Sequence, residues 1–158
     1  MEKDIQVVGF RIGSETFGVH ISHVREIVRV PEITAVPNAP HCLEGVINLR
    51  GKIIPVIDLR KRFGVSDIQS DKKNRILVVE HDARLVGLIV RSASEVIKIP
   101  PSEIEASGSL LQEGEVGFVT GVGKLNGRLI ILIDLNKLLQ KGEWNRLEEA
   151  AEPVLNGH

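Results

Sequence analysis

Apolar residues recur along this chain at the short spacing of strands and tight turns rather than of long helices. Ile5 to Ile12 alternates loosely and predicts a strand, followed by a turn at Gly13-Ser14-Glu15 and a second strand over Thr16 to Ile21. Ser22 is placed to cap a short helical turn through Val24-Arg25-Glu26, because its side chain can accept an orphan backbone N–H. Ile27 to Val30 returns to strand and Pro31 ends it. Thr34 to Pro40 carries Pro37 and Pro40 and predicts an extended loop. Gly45 to Leu49, the turn Arg50-Gly51 and Lys52 to Ile57 form a hairpin. Asp58 then caps a helix over Leu59 to Phe63, stopped by Gly64. Val65 to Asn74 is polar and charged, the composition of a linker. Strands follow at Arg75 to Glu80, Leu85 to Val90 and Val96 to Ile99. Ser102 to Val116 reads as a surface loop. A second hairpin runs Phe118 to Leu125, Asn126-Gly127, Arg128 to Ile133. Asn-Gly suits such a turn because both residues tolerate positive φ. Asp134 caps Leu135 to Leu139. Glu143 to Glu152 has helical character, ended by Pro153, and the residues from Val154 on are frayed.

The two hairpins are copies of one another. Gly45 to Phe63 (GVINLRGKIIPVIDLRKRF) and Gly121 to Leu139 (GVGKLNGRLIILIDLNKLL) agree at nine of nineteen positions without a gap, 76 residues apart. Chance would give about one match, so the segment is duplicated. Upstream, Phe17 to Pro31 matches Val86 to Pro100 more faintly at an offset of 69, with Gly18/Gly87, Glu26/Glu95 and Pro31/Pro100 identical. The seven extra residues of the second copy fall within the loop from Ser102. Each copy, about 65 residues long, is marginal alone, so the two are expected to pack as one folding body. Short, even strands of this kind favour small closed barrels over a flat sheet, because closure removes sticky edges.

With 158 residues, 19 Val and 18 Ile against four Phe, one Trp and no Tyr, the core is expected to be mostly sheet built from stiff aliphatic side chains. A net charge of −1 argues against a general nucleic-acid or membrane-surface binder. The missing aromatic stacking platform weighs against a single-strand binder as well. A lone cysteine, Cys42, fits a reducing compartment. No apolar run approaches the ~20 residues of a membrane span, and the charged start Met1-Glu2-Lys3-Asp4 has no secretory core.

Few residue sets suggest catalysis. Asp58 and Asp134 are related by the repeat and could share a proton as paired carboxylates do, a two-Asp hydrolase. Each nevertheless sits where a helix cap belongs, with Leu after it rather than a small residue. His20, His23 and His41 lack the convergent spacing of zinc ligands. Cys42 beside His41 has no orienting third group or oxyanion hole. Arg50 is the informative difference between the copies. Its neighbours Leu49 and Gly51 match Leu125 and Gly127, yet Asn126 stands in its place. A long, permanently charged fork at an exposed hairpin tip suits a partner-binding residue at the join of the two units.

The stretch Pro37 to Gly64 (PNAPHCLEGVINLRGKIIPVIDLRKRFG) resembles the signature region of CheW-type chemotaxis coupling domains. Asn48-Leu49-Arg50-Gly51 and Ile54-Pro55-Val56-Ile57-Asp58-Leu59-Arg60 carry the likeness. Phe17-Gly18-Val19 with Val24-Arg25-Glu26-Ile27, then Val86-Gly87, Ala93-Ser94-Glu95-Val96, Gly121 and Leu132-Ile133-Asp134, extend it over about residues 5 to 140. Phe17 departs from the family's frequent Tyr by one hydroxyl. The resemblance implies a mostly β fold: two pseudo-repeated five-stranded SH3-like barrels around a shared core, with short helices and a C-terminal helix. It sets a single domain over 5–140, with units of about 10–66 and 74–140 that can share the N-terminal strand, and a tail over 141–158. It also implies no catalysis and no cofactor or metal. The implied role is a cytoplasmic adaptor that couples methyl-accepting chemoreceptors to the regulatory domain of a CheA-type histidine kinase. Such an adaptor meets membrane receptor arrays only through its partners. A scaffold of a non-motility chemosensory pathway would share the same features. Carried over by position, the receptor contact maps to a groove between the barrels at Val24, Glu26 and Arg50, with Leu77 as an apolar wall. The kinase contact would be barrel end against barrel end, without assignable residues.

Overall fold

Runs of Val and Ile between Gly-containing turns give ten strands, nine of them eight residues or fewer, in the computed structural model, which describes residues 3–38, 43–62, 72–106 and 119–138. The strands are β1 (Ile5–Ile12), β2 (Glu15–His20), β3 (Val24–Arg29), β4 (Leu43–Leu49), β5 (Lys52–Asp58), β6 (Asn74–His81), β7 (Arg84–Ile99), β8 (Ile104–Ala106), β9 (Val119–Leu125) and β10 (Arg128–Ile133). Two one-turn helices, α1 (Leu59–Arg62) and α2 (Leu135–Leu138), follow the duplicated hairpins. The fold is mostly β, as the composition leads one to expect.

All ten strands belong to one hydrogen-bonded sheet, ordered β3-β6-β7-β1-β2-β10-β9-β8, with β5 attached to β7 and β4 to β5. Pairing crosses between the two sequence copies. The hairpin β6–β7 from the second copy joins β3, β4 and β5 of the first, while β1–β2 joins β9 and β10 of the second. The two joints are the same joint used twice. Val56 lies opposite Gly87 where β5 runs parallel to β7, and Leu132 lies opposite Gly18 where β10 runs parallel to β2. Shifting Val56 by 76 and Gly18 by 69 converts one pair into the other.

The glycines common to both copies have matching packing reasons. A Cβ on Gly45 would overlap the carbonyl oxygen of Thr34, and one on Gly121 would lie 2.6 Å from that of Glu105. Thr34 exchanges both backbone hydrogen bonds with Val46 at 2.9 Å; Glu105 lies opposite Val122 in the β8–β9 ladder. Close backbone approach at the edge of each strand group therefore requires glycine.

The largest apolar cluster draws on both strand groups: Phe10 and Val19 on one side, Leu77 and Leu88 on the other, with Leu59 and Leu135 of the helices tucked in. A smaller cluster lies in each group. Ile54, Val56 and Ile76 in the first correspond through the repeat to Ile130, Leu132 and Val7 in the second.

Three local expectations are corrected. Val24–Glu26 is strand, not helical turn. The turn is a 3-10 helix over Ile21–His23, capped by His20, whose Nδ1 accepts the Ser22 N–H at 3.1 Å. β-branched Val24, Ile27 and Val28 prefer the ladder that β6 offers. Leu85 to Val90 and Val96 to Ile99 are one sixteen-residue strand. No Gly or Pro interrupts its second half, and β5, β6 and β1 between them pair it along its length. Ser92 (φ 54°) lies where β7 carries two extra residues in its pairing with β1, between Arg91 opposite Arg11 and Glu95 opposite Gly9. Within the expected loop after Pro101, Ser102–Glu103 lie in a 3-10 turn and Ile104–Ala106 is a strand. The stop at Gly64, most of the linker, the rest of the loop, His41, Cys42 and the C-terminal helix lie outside the described residues.

Candidate functional site: a charged groove on the first strand group

β3 carries an irregularity that builds the site. Val24 pairs with Val79 and Glu26 with Val78, so Arg25 is an extra residue in the ladder. Such a bulge turns two consecutive side chains toward the same side. Arg25 and Glu26 both face a groove of about 460 Å³. Its floor is apolar, made by Leu49, Ile54, Val78 and Leu85, and its rim is charged, carrying Arg25, Glu26, Arg50, Lys52 and Glu80. Every lining residue comes from β3 or from the β4–β5 and β6–β7 hairpins. The groove thus lies on one strand group and not between the two.

Two ion pairs cross the rim in opposite senses. Arg50, from the β4–β5 turn, donates to Glu26 Oε2 in a short contact. This hydrogen bond holds the Glu26 carboxyl below its ordinary value and raises Arg50. Arg25 forks onto Glu80, with Nε to Oε1 at 3.1 Å and the second guanidinium nitrogen to Oε2 at 2.8 Å. The bond lowers Glu80, helped by the charge of nearby Lys52. Arg50 makes its contact from a left-handed backbone, φ 51°. Asn126 has the same φ of 51° at the matching turn, and Asn adopts that conformation far more readily than Arg.

Of the four residues expected at a receptor contact, Glu26 and Arg50 come together on this rim. Val24 is half-buried and packs against the main core. Leu77 is 0 % exposed, inside that core, so it cannot wall the groove. Strand alternation is the reason: Ile76 and Val78 face one side of β6, Leu77 and Val79 the other. Val78 takes the place expected of Leu77. No local sequence motif marks the Arg25–Glu80 pair or Lys52 as part of this rim. Comparison at the offset of 69 carries a signal for the pair, since Arg25 and Glu80 stand opposite Ser94 and Arg11.

The remaining candidates have local roles. Asp58 is 1 % exposed and its Oδ1 accepts the Arg60 N–H at 3.0 Å. The Arg60 guanidinium grips both carboxylate oxygens at 2.9 Å. Asp134 Oδ1 accepts the N–H groups of Asn136 at 2.9 Å and Lys137 at 3.3 Å. Both are helix caps. His20 and His23 meet edge to face at 6.4 Å near the surface. Among the described residues no group of three or more His, Cys, Asp or Glu is arranged to hold a metal ion, and no helix is long and apolar enough to cross a membrane.

A duplicated, strand-exchanged β fold that presents a groove with an apolar floor and a charged rim has the form of a docking module. The CheW-like domain family model matches residues 6–143, and the chain belongs to that family, whose members are non-catalytic chemotaxis adaptors. It is 32 % identical over 143 residues to "Chemotaxis protein CheW" of Klebsiella aerogenes, covering 90 % of this chain and 86 % of that one. The chemotaxis protein CheW of Helicobacter pylori is 34 % identical over 140 residues, covering 89 % and 84 %. Among solved structures, the scaffolding protein TtCheW of Thermoanaerobacter tengcongensis superposes with a TM-score of 0.79 at 40 % identity, covering 90 % of this chain and 96 % of that one.

Proposed function

We propose that this chain is a non-catalytic cytoplasmic adaptor whose groove on the first strand group receives the signalling tip of a methyl-accepting chemoreceptor, while another face holds the regulatory domain of a CheA-type histidine kinase. The observation that carries the reading is the Glu26–Arg50 pair at the rim of an apolar groove, in a chain of the CheW-like family. An apolar floor with a charged rim suits an amphipathic helix. The floor supplies burial, and the rim supplies orientation and selectivity. Val24 and Leu77 support this face from the core side, by fixing β3 and β6 against one another.

Reconstitution tests the reading. Receptor signalling fragments arrayed on vesicles are combined with the kinase, with and without this chain, and kinase autophosphorylation is followed. An adaptor raises receptor-controlled kinase activity and co-sediments with both partners. A chain that leaves the kinase uncoupled and stays in the supernatant is not this adaptor.

A further inference from the structure

The second copy pairs the corresponding residues differently. There Glu95, the counterpart of Glu26, pairs with Arg128 at 3.2 and 3.5 Å, and Arg128 is the counterpart of Lys52. By the repeat, Lys52 stands in the position from which Arg128 pairs with Glu95. In the first copy Arg50 has taken Glu26 instead. The other nearby carboxylate, Glu80, has both oxygens engaged by the Arg25 fork, and that pair too has no equivalent in the second copy. Among the described residues Lys52 therefore makes no ion pair, although it lies exposed on the groove rim and close enough to Glu80 to lower it. The rim carries three cations, Arg25, Arg50 and Lys52, against two carboxylates, Glu26 and Glu80. Two arginines thus occupy the acids that would otherwise hold a lysine.

We infer that Lys52 is a carboxylate-binding residue, released by the Arg50–Glu26 and Arg25–Glu80 pairs, and that the groove selects a partner segment carrying an Asp or Glu beside its apolar anchors. The inference rests on the receptor-docking reading above and adds the chemistry of what is docked. An acid entering the groove meets an unpaired ammonium beside an apolar floor, where partial desolvation strengthens the contact. A segment with Lys or Arg at that position meets like charge and is rejected.

The test is a double-mutant cycle by calorimetry, using the full chain and a soluble signalling fragment of a chemoreceptor from the same genome. Lys52→Glu and Lys52→Gln are paired with fragments in which each acidic residue of the tip is changed singly to its amide. Wild-type affinity is expected to fall as salt rises. Lys52→Glu is expected to weaken binding about three- to tenfold, and Lys52→Gln less. One tip amide should weaken wild type by a similar factor, have little further effect on Lys52→Gln, and partly restore binding to Lys52→Glu by removing the like-charge repulsion. Wild-type binding that Lys52→Glu leaves unchanged, or a loss that no tip carboxylate shares, overturns the assignment of Lys52 while leaving receptor docking intact. Failure of the wild-type chain to bind the fragment overturns the docking reading itself and this inference with it.

Discussion

Arg50 reaches Glu26 from a turn whose backbone is better suited to asparagine. Both Arg50 and its repeat counterpart Asn126 have φ of 51°, but only Arg50 closes an ion pair across the rim. A residue kept at an unfavourable backbone position, in a contact too exposed to add much stability, is there for what its side chain does. Replacing Arg50 with Asn should therefore leave the thermal midpoint unchanged or higher. It should also return Lys52 to Glu26, as Arg128 pairs with Glu95. Receptor-fragment affinity should fall about tenfold, as for a central interface arginine. A melt and a titration on the same sample check both halves.

The rim has a defined acid limit. Hydrogen bonding to Arg50 holds Glu26 below its ordinary value of 4.5, so the pair's contribution is complete above that pH and is lost as pH falls through the lowered value. Because the exposed pair adds little stability, acid-unfolding curves of wild type and Glu26→Gln should differ at most slightly above 4.5 and coincide below it. The side-chain carboxyl shift of Glu26, followed by NMR, should titrate below 4.5 in wild type and move up in Arg50→Asn.

Leu77→Ala should behave as a core mutant. With its side chain fully buried in the main cluster, it should lose about 2–5 kcal/mol of stability. Binding to either partner, measured where the variant is still folded, should change little. Chemical denaturation followed by calorimetry separates the two effects.

The two caps should be unequal. Asp134→Ala removes a capping acceptor and should cost about 1 kcal/mol. Asp58→Ala also removes the two-pronged contact of the Arg60 guanidinium with a carboxylate that is 1 % exposed, and should cost about 2–4 kcal/mol. Equal losses in denaturant titrations would contradict the role given to the Arg60 clamp.

Much of this architecture is legible in the sequence because it depends on neighbouring residues. Asn126-Gly127 and Arg50-Gly51 declare their hairpins, Asp58 and Asp134 their caps, and the duplication declares the two-copy plan. What is not legible depends on partners far along the chain. The exchange of the β1–β2 and β6–β7 hairpins follows from parallel joints at Gly18 and Gly87. β7 runs unbroken because separate strands take over its hydrogen bonds. The bulge at Arg25 has no local marker, and it decides that Arg25 and Glu26 share the groove. Leu77 shows the same limit in miniature. Its type suggested a wall, but a strand's alternation is fixed only once its sheet is known, and Val78 faces the groove instead.

The most direct test of the account is a calorimetric titration of wild type and Arg50→Ala, in parallel, against the receptor signalling fragment and the kinase regulatory domain. The account predicts that wild type binds both, and that Arg50→Ala loses chiefly the receptor while keeping the kinase. Equal binding of the receptor by both proteins, or equal loss of both partners by the variant, would contradict the placing of the receptor contact at the Glu26–Arg50 rim.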